Sequence, residues 1–220
     1  MKTLPLHEEH VRAGADFGEE PGWLVPGHFG DPAGEYQAAV ERAALFDLSC
    51  RSKVELAGPE ARTFLNNVCT NDVKNLPVGA GCEAFLLTAK GRIVAHVLAG
   101  HYRQPDETAV LWLDTVPDQA AVIGEYLDHY LVSEQVELAD RTEVYGLFHM
   151  AGPQAAAILQ SIAGTGFADL PALGNRALQW PSDGRPWCYV RHHAPLGLDG
   201  YDVFFPAGRS LDMWKLLRDG

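Results

Sequence analysis

Histidine pairs are the residues whose type and spacing come nearest to chemistry. His7-Glu8-Glu9-His10 would set two imidazoles on one helical face, a spacing that holds a metal only with rigid support and a third ligand. The Gly-, Pro- and His-rich stretch 1–30 around it offers neither, so no metal is assigned. His192-His193 are adjacent on a predicted strand and must point to opposite faces, which prevents joint chelation and leaves structural or surface positions as the expectation. Cys50, Cys69, Cys82 and Cys188 contain no Cys-x-x-Cys pair, so reduced, mostly buried thiols are expected rather than a zinc knuckle or redox dithiol. Gly79-Ala80-Gly81-Cys82-Glu83-Ala84 fits a dinucleotide-binding pattern, but that pattern needs a strand before it and a helix starting inside it. Here a helix and loop precede and a strand follows, so a tight turn is expected. Neither a nucleophile elbow nor a P-loop lysine motif occurs.

The elements that must position any site read as follows. Residues 1–30 suggest an extended arm packed on the body through Trp23, Val25 and Phe29. Asp31-Pro32 caps and opens a helix whose apolar face is Tyr36, Ala39, Val40, Ala43 and Ala44, ending near Leu45-Phe46-Asp47. A strand at 54–57, a Gly58-Pro59 turn and a helix at 60–69 follow. The same pattern returns about 94 residues later: Leu56-Ala57-Gly58-Pro59-Glu60-Ala61 is matched by Met150-Ala151-Gly152-Pro153-Gln154-Ala155, and Phe64-Leu65 by Ile158-Leu159, which indicates an internal repeat. Strands are predicted at 82–88, 93–101, 108–114, 136–138, 176–180, 187–192 and 201–205, and helices at 117–131 and 209–217, with a hairpin turn at Lys90-Gly91-Arg92. Hairpins mixed with helices argue an α+β fold of two split β-α-β lobes.

The chain has 220 residues, 47% apolar and 21% charged, enough for a packed core. Its net charge of −12 opposes nucleic-acid and anionic-membrane partners. No apolar stretch is long enough to span a membrane, and the N-terminus lacks a signal-peptide pattern, so a cytoplasmic location is expected.

Pro5-Leu6-His7-Glu8-Glu9-His10, Gly22-Trp23, Ala44-Leu45-Phe46-Asp47-Leu48-Ser49 and Asn71-Asp72-Val73 occur in the order and approximate spacing of the glycine cleavage aminomethyltransferases, or T-proteins. From about residue 5 to its end the chain resembles that superfamily. The resemblance implies a folate-binding α+β body of duplicated ferredoxin-like lobes around a central channel. One domain over 1–220 would contain both, with a middle lobe of about 53–140 inserted in the other. Family members continue into a C-terminal barrel that this sequence stops before, which would leave apolar surface bare near Trp214 and Leu217 for that barrel or for a second copy.

The family's Gly-Gly-Ile-x-Asp-Asp-Leu hairpin, whose aspartate holds the pterin, aligns with Gly91-Arg92-Ile93-Val94-Ala95-His96-Val97, and both aspartates are gone. His96 is the one catalytic candidate left there, provided that it and not Ala95 faces the pocket. The Gly-Tyr-Thr-Gly-Glu-Asp-Gly-x-Glu motif aligns with residues 194–202, where Leu198 replaces the first Glu while Asp199, Gly200 and Asp202 keep the pattern. The implied cofactor is tetrahydrofolate or a derivative. Asp114, Asp199 and Asp202 are the candidate polar contacts, Phe85, Leu87 and Tyr201 the walls, and Arg191, Arg51 or Arg92 the cation for the folate's anionic tail. Loss of the aspartates makes the chain similar to the YgfZ branch of folate-binding accessory proteins, although that branch's Lys-Gly-Cys motif is absent. A folate-binding accessory protein, a one-carbon transferase with a rebuilt site and a protein-interaction module stay open. An open channel lined by Asp114 and Asp202 would favour binding.

Overall fold

The computed structural model describes residues 1–179 and 186–219. Strand β1 (Lys2–Thr3), helix α1 (His7–Arg12) and strands β2 (Asp16–Glu20) and β3 (Trp23–His28) open the chain, and the strands form a sheet in the order β1-β3-β2. The predicted arm is therefore folded. Few positions in β2 and β3 are buried, so no apolar alternation marked them in the sequence. Trp23 and Val25 do pack against the body, with Leu4 and Cys50, and Phe29 joins a larger core.

Helix α2 (Pro32–Glu41) starts as predicted, with the Asp31 carboxylate accepting the Gly34 N–H at 3.0 Å and Pro32 in the first turn. It ends sooner. Arg42 leaves helical geometry and strand β4 (Ala44–Asp47) takes the place of the predicted last turn. Pairing with a neighbouring strand satisfies the backbone of 44–47 and packs Leu45 on the sheet's core, which overrides helical propensity. Of the predicted helical face only Ala39 is buried, and Tyr36 and Val40 face solvent.

The rest builds two sheets of one design. Strand β5 (Arg51–Ala57), helix α3 (Ala61–Val68), strands β6 (Gly81–Leu87), β7 (Ile93–Arg103) and β8 (Ala109–Pro117), helix α4 (Ala120–Tyr130) and strand β9 (Glu137–Asp140) give the first, in the order β6-β7-β8-β5-β9. Strand β10 (Tyr145–Ala151), helix α5 (Ala155–Ala163), strands β11 (Asn175–Gln179), β12 (Pro186–His192) and β13 (Gly200–Pro206) and helix α6 (Ser210–Asp219) give the second, in the order β11-β12-β13-β10-β4. Trp180, expected to end a strand, lies outside the described residues. All pairings in both sheets are antiparallel. Without its outermost strand, β6 or β11, each is a ferredoxin-like split β-α-β arrangement. In the first sheet the fourth strand is β9, reached through α4. In the second, β4 fills that edge from a point in the chain before the first sheet begins.

The repeat is thus physical: β5-α3 and β10-α5 are the same unit. Gly58 and Gly152 turn each strand into its helix at φ of 118° and 127°, a region only glycine adopts readily. A Cβ at Gly58 would lie 2.2 Å from the Gln135 carbonyl oxygen, and one at Gly152 would lie 2.6 Å from those of Ala39 and Arg42.

Alternation on the strands sends one set of side chains outward under helices and the other inward between the sheets. Val54, Leu56, Val97 and Leu113 pack with Phe64, Leu65, Ile123 and Leu127 of α3 and α4, while Phe148, Val203 and Phe205 pack with Leu159, Met213, Trp214 and Leu217 of α5 and α6. Trp214 and Leu217 are buried, which corrects the expectation of a bare apolar face there: α6 spends its apolar stripe on the second sheet. Between the sheets, Tyr102, Val110 and Trp112 meet Leu147, Tyr189 and Phe204. Among the described residues no helix is long and apolar enough to cross a membrane.

Candidate functional site

The inter-sheet layer changes character along its length. One end is the aromatic cluster around Trp112 and Phe204; the other is a buried ionic network. Asp114 of β8 and Arg191 of β12 approach from opposite sheets, with Arg191 Nη2 donating to Asp114 Oδ2 at 2.5 Å. Arg191 also forks onto Asp202 of β13, Nε at 3.0 Å and Nη2 at 2.5 Å from Oδ2. Arg51 Nε, from the start of β5, donates to the other oxygen of Asp114 at 2.8 Å. His149 of β10 holds Oδ1 of Asp202 through Nδ1 at 2.8 Å, and His193, just past β12, reaches Oδ2 through Nδ1 at 2.8 Å.

Two guanidinium and two carboxylate charges balance in a region where Asp114, Arg191 and Asp202 are almost wholly buried. Burial by itself would push the Asp202 carboxyl up, but the Arg191 charge and the hydrogen bonds from His149 and His193 hold it well below the usual carboxylate range. Asp114 is likewise raised by burial and brought below its ordinary value by Arg51 and then Arg191. Burial would lower Arg191, and Asp202 and Asp114 outweigh that and hold it above its ordinary value.

Two members of the network surface. Arg51 and His193 both line a cavity of about 850 Å³ between the sheets, within the range that accepts a drug-sized ligand. Its first-sheet wall is Glu83, Ile93, Val94, Ala95, His96, Leu98, Thr115, Val116 and Gln119; its second-sheet wall is Ala172, Leu173, His192, His193, Ala194 and Pro195. His96 is the polar side chain that the hairpin strand turns to this space, half exposed, with Glu83 Oε2 at 3.8 Å and the Phe85 ring at 5.0 Å. Ala95 borders the cavity too, but it packs in the helix-side core and carries no polar group.

The cavity therefore differs from the channel expected. Asp114, Asp202 and Arg191 come together but stand behind the wall, saturated by one another, and present Arg51 and His193 in their place. Tyr201, expected as a wall, is buried in the helix-side core of the second sheet, stacked on His192 at 5.3 Å. Asp199 is exposed and faces His192 Nε2 at 3.1 Å. Phe85 stands beside His96 without lining the cavity, and Leu87 is half-buried at the end of β6, its carbonyl accepting the Tyr126 hydroxyl at 3.1 Å. Glu83, Thr115, Gln119 and His149 were missed. For His149 the signal was a polar residue at an inward position of an otherwise apolar strand.

His149, His193 and Asp202 have metal-ligand side chains, with one donor atom from each lying within 4.8 Å of the others. The bidentate guanidinium on Asp202 occupies the space and charge a cation would need, so the cluster reads as an ion-pair network. His7 and His10 do sit on a helix, but His10 is fully buried with Nε2 2.9 Å from Asp47 Oδ2 and its ring against Trp214 at 5.1 Å. That pair fastens the N-terminal helix to the second sheet.

The sequence profile of the GCVT N-terminal domain matches residues 6–219. An aminomethyltransferase of Rubrobacter xylanophilus is 31% identical over 99% of this chain and 56% of its own length. One from Desulforamulus reducens is 28% identical over 99% and 57%. The crystal structure of glycine cleavage system aminomethyltransferase T from Bartonella henselae superimposes with a TM-score of 0.85 at 25% identity, covering 98% of this chain and 56% of that one. A heterotetrameric sarcosine oxidase from Corynebacterium shares the fold at 14% identity, with a TM-score of 0.57. The chain spans little more than half the length of the aminomethyltransferases it matches. Its profile match, its paired ferredoxin-like sheets and the cavity between them make it a member of the GCVT N-terminal domain family.

Proposed function

We propose that this protein binds tetrahydrofolate or a derivative in the inter-sheet cavity, as a cytoplasmic accessory protein of the YgfZ kind, and does not transfer aminomethyl groups at a T-protein rate. The observation that carries this reading is the pairing of an open cavity of about 850 Å³ with a hairpin strand that offers it His96 where the family resemblance calls for aspartate. The cavity suits a heterocycle with a mixed polar edge: Arg51 and Gln119 supply donors, Glu83 and His193 acceptors, and Ile93, Leu98 and Leu173 apolar contact. Arg51 is the cation nearest to hand for an anionic tail. Four free cysteines fit a reducing compartment.

When bound, a reduced folate supplies the nitrogen that accepts a one-carbon unit. Positioning and charge at that nitrogen supply most of the rate of such a transfer. Asp114 and Asp202 are neutralised by arginine behind the wall, and Glu83 is exposed at the rim. A second reading, proton transfer by His96, draws on its position in the cavity beside Glu83. Single-turnover transfer from aminomethyl-lipoyl carrier to tetrahydrofolate tests both. The expected result is no transfer above the rate without protein. Transfer comparable to an intact T-protein would overturn the accessory reading, and loss of that rate in His96→Ala would establish the second.

A further inference from the structure

We propose that His193 is the hydrogen-bond acceptor through which the cavity recognises an N–H edge of its ligand, with Asp202 as the residue that fixes its tautomer. The proposal rests on the folate reading for the ligand's chemical class, a 2-amino-4-oxopyrimidine edge.

The tautomer follows from the partners. Asp202 Oδ2 receives both donating nitrogens of Arg191, and Oδ1 receives His149. An ionised carboxylate has no hydrogen to give, so the hydrogen in the 2.8 Å contact with His193 belongs to the ring's Nδ1. A neutral His193 then carries its lone pair on Nε2. That atom has no hydrogen-bond partner among the described residues and is not a buried one, while the ring lines the cavity at 18% exposure. His149 is held by Asp202 in the same way, but its Nε2 is buried with no partner, so it offers nothing to a ligand. His192 is engaged on both nitrogens, by the Leu170 carbonyl and Asp199. Across the cavity, Arg51 donates and is tied to Asp114, and Glu83 and His96 face each other at 3.8 Å. His193 is therefore the rigidly aimed acceptor on the second-sheet wall. An acceptor of fixed direction that a bound ligand covers favours a ligand that brings an N–H and rejects one that lacks it.

Nitrogen-15 NMR of the imidazole rings, with His193 identified by its loss in His193→Ala, reads the tautomer in the free protein. Nδ1 protonated and Nε2 bare is expected; the opposite tautomer would overturn the proposal whatever the ligand. Tetrahydrofolate and, separately, isocytosine, which carries the same edge alone, are then titrated into wild type, His193→Ala and His193→Gln. Both ligands should move the Nε2 resonance. His193→Ala should weaken tetrahydrofolate about tenfold, the worth of one hydrogen bond, and His193→Gln, whose amide oxygen can reach the Nε2 position, should recover most of it. Tetrahydrofolate bound equally by all three with Nε2 unmoved would refute the role of His193 and leave folate binding standing. Isocytosine moving Nε2 while tetrahydrofolate does not bind would do the reverse. Neither ligand moving Nε2 sinks the proposal.

Discussion

Lys53 is buried on the inner face of β5, with Nζ donating to the carbonyl oxygens of Ser49 at 3.1 Å and Arg51 at 2.8 Å. Burial pulls its pKa down to about 8, with Asp114 offsetting part of the effect. The folded value lies below the unfolded one, so the unfolded chain binds more protons between them and stability rises as pH climbs from about 8 toward 10.5. Below that window the cost of the buried ammonium is present in full, on the order of 3 kcal/mol. Lys53→Met should therefore unfold at higher urea concentration than wild type at pH near 7, and the gain should shrink toward pH near 10. Equal unfolding midpoints at both values would show that the lysine is not desolvated as described. Nothing in the sequence announced this residue. Lys53 looked like an ordinary strand charge, because what makes it unusual is the second sheet lying over it. Asp114, Arg191 and Asp202 were named as ligand contacts, and their real partners are one another: Arg191 pairs with Asp202 on the next strand and with Asp114 of the other sheet, 77 residues away in the chain.

At the scale of elements the repeat was legible, because Ala-Gly-Pro between a strand and a helix is a local requirement repeated wherever the unit is repeated. The units carry different chemistry at matching places. Glu55 sits opposite Trp112 in the first sheet and accepts its indole N–H at 2.8 Å. The corresponding pair in the second, one repeat later, is His149 opposite Asp202, also at 2.8 Å. One copy thus serves the aromatic end of the inter-sheet layer and the other the ionic end. Gly152→Ala tests the shared turn. The forced backbone geometry costs roughly 1–3 kcal/mol before any clash, and a Cβ 2.6 Å from two carbonyl oxygens adds to it. Gly164, at φ of 67° with nothing within 4 Å of its Cβ position, is the control, and its alanine variant should lose only about 1 kcal/mol. Chemical denaturation ranking Gly152→Ala no worse than Gly164→Ala would mean the turn relaxes freely. Strand β4 and the N-terminal sheet escaped the sequence because both have few buried positions, so alternation is weak and pairing decides.

Over the whole molecule, the first sheet's strands are contiguous in the chain, while the second sheet is completed by β4 from before them, so the cavity forms only when both sheets have docked. Its site was half legible: the hairpin with His96 and the 194–202 segment were picked out by motif and Arg191 by its charge, but which side chains reach the cavity depended on strand register and on Arg191 turning inward. Val116 lies on the cavity wall and is more than half exposed, so Val116→Trp should narrow the space without disturbing either core. Titration calorimetry of tetrahydrofolate into the wild-type chain and this variant tests the central claim most directly. Micromolar binding by wild type, weakened at least about tenfold by the tryptophan, is the result this account predicts; no heat at millimolar ligand, or equal binding by the two proteins, would contradict it.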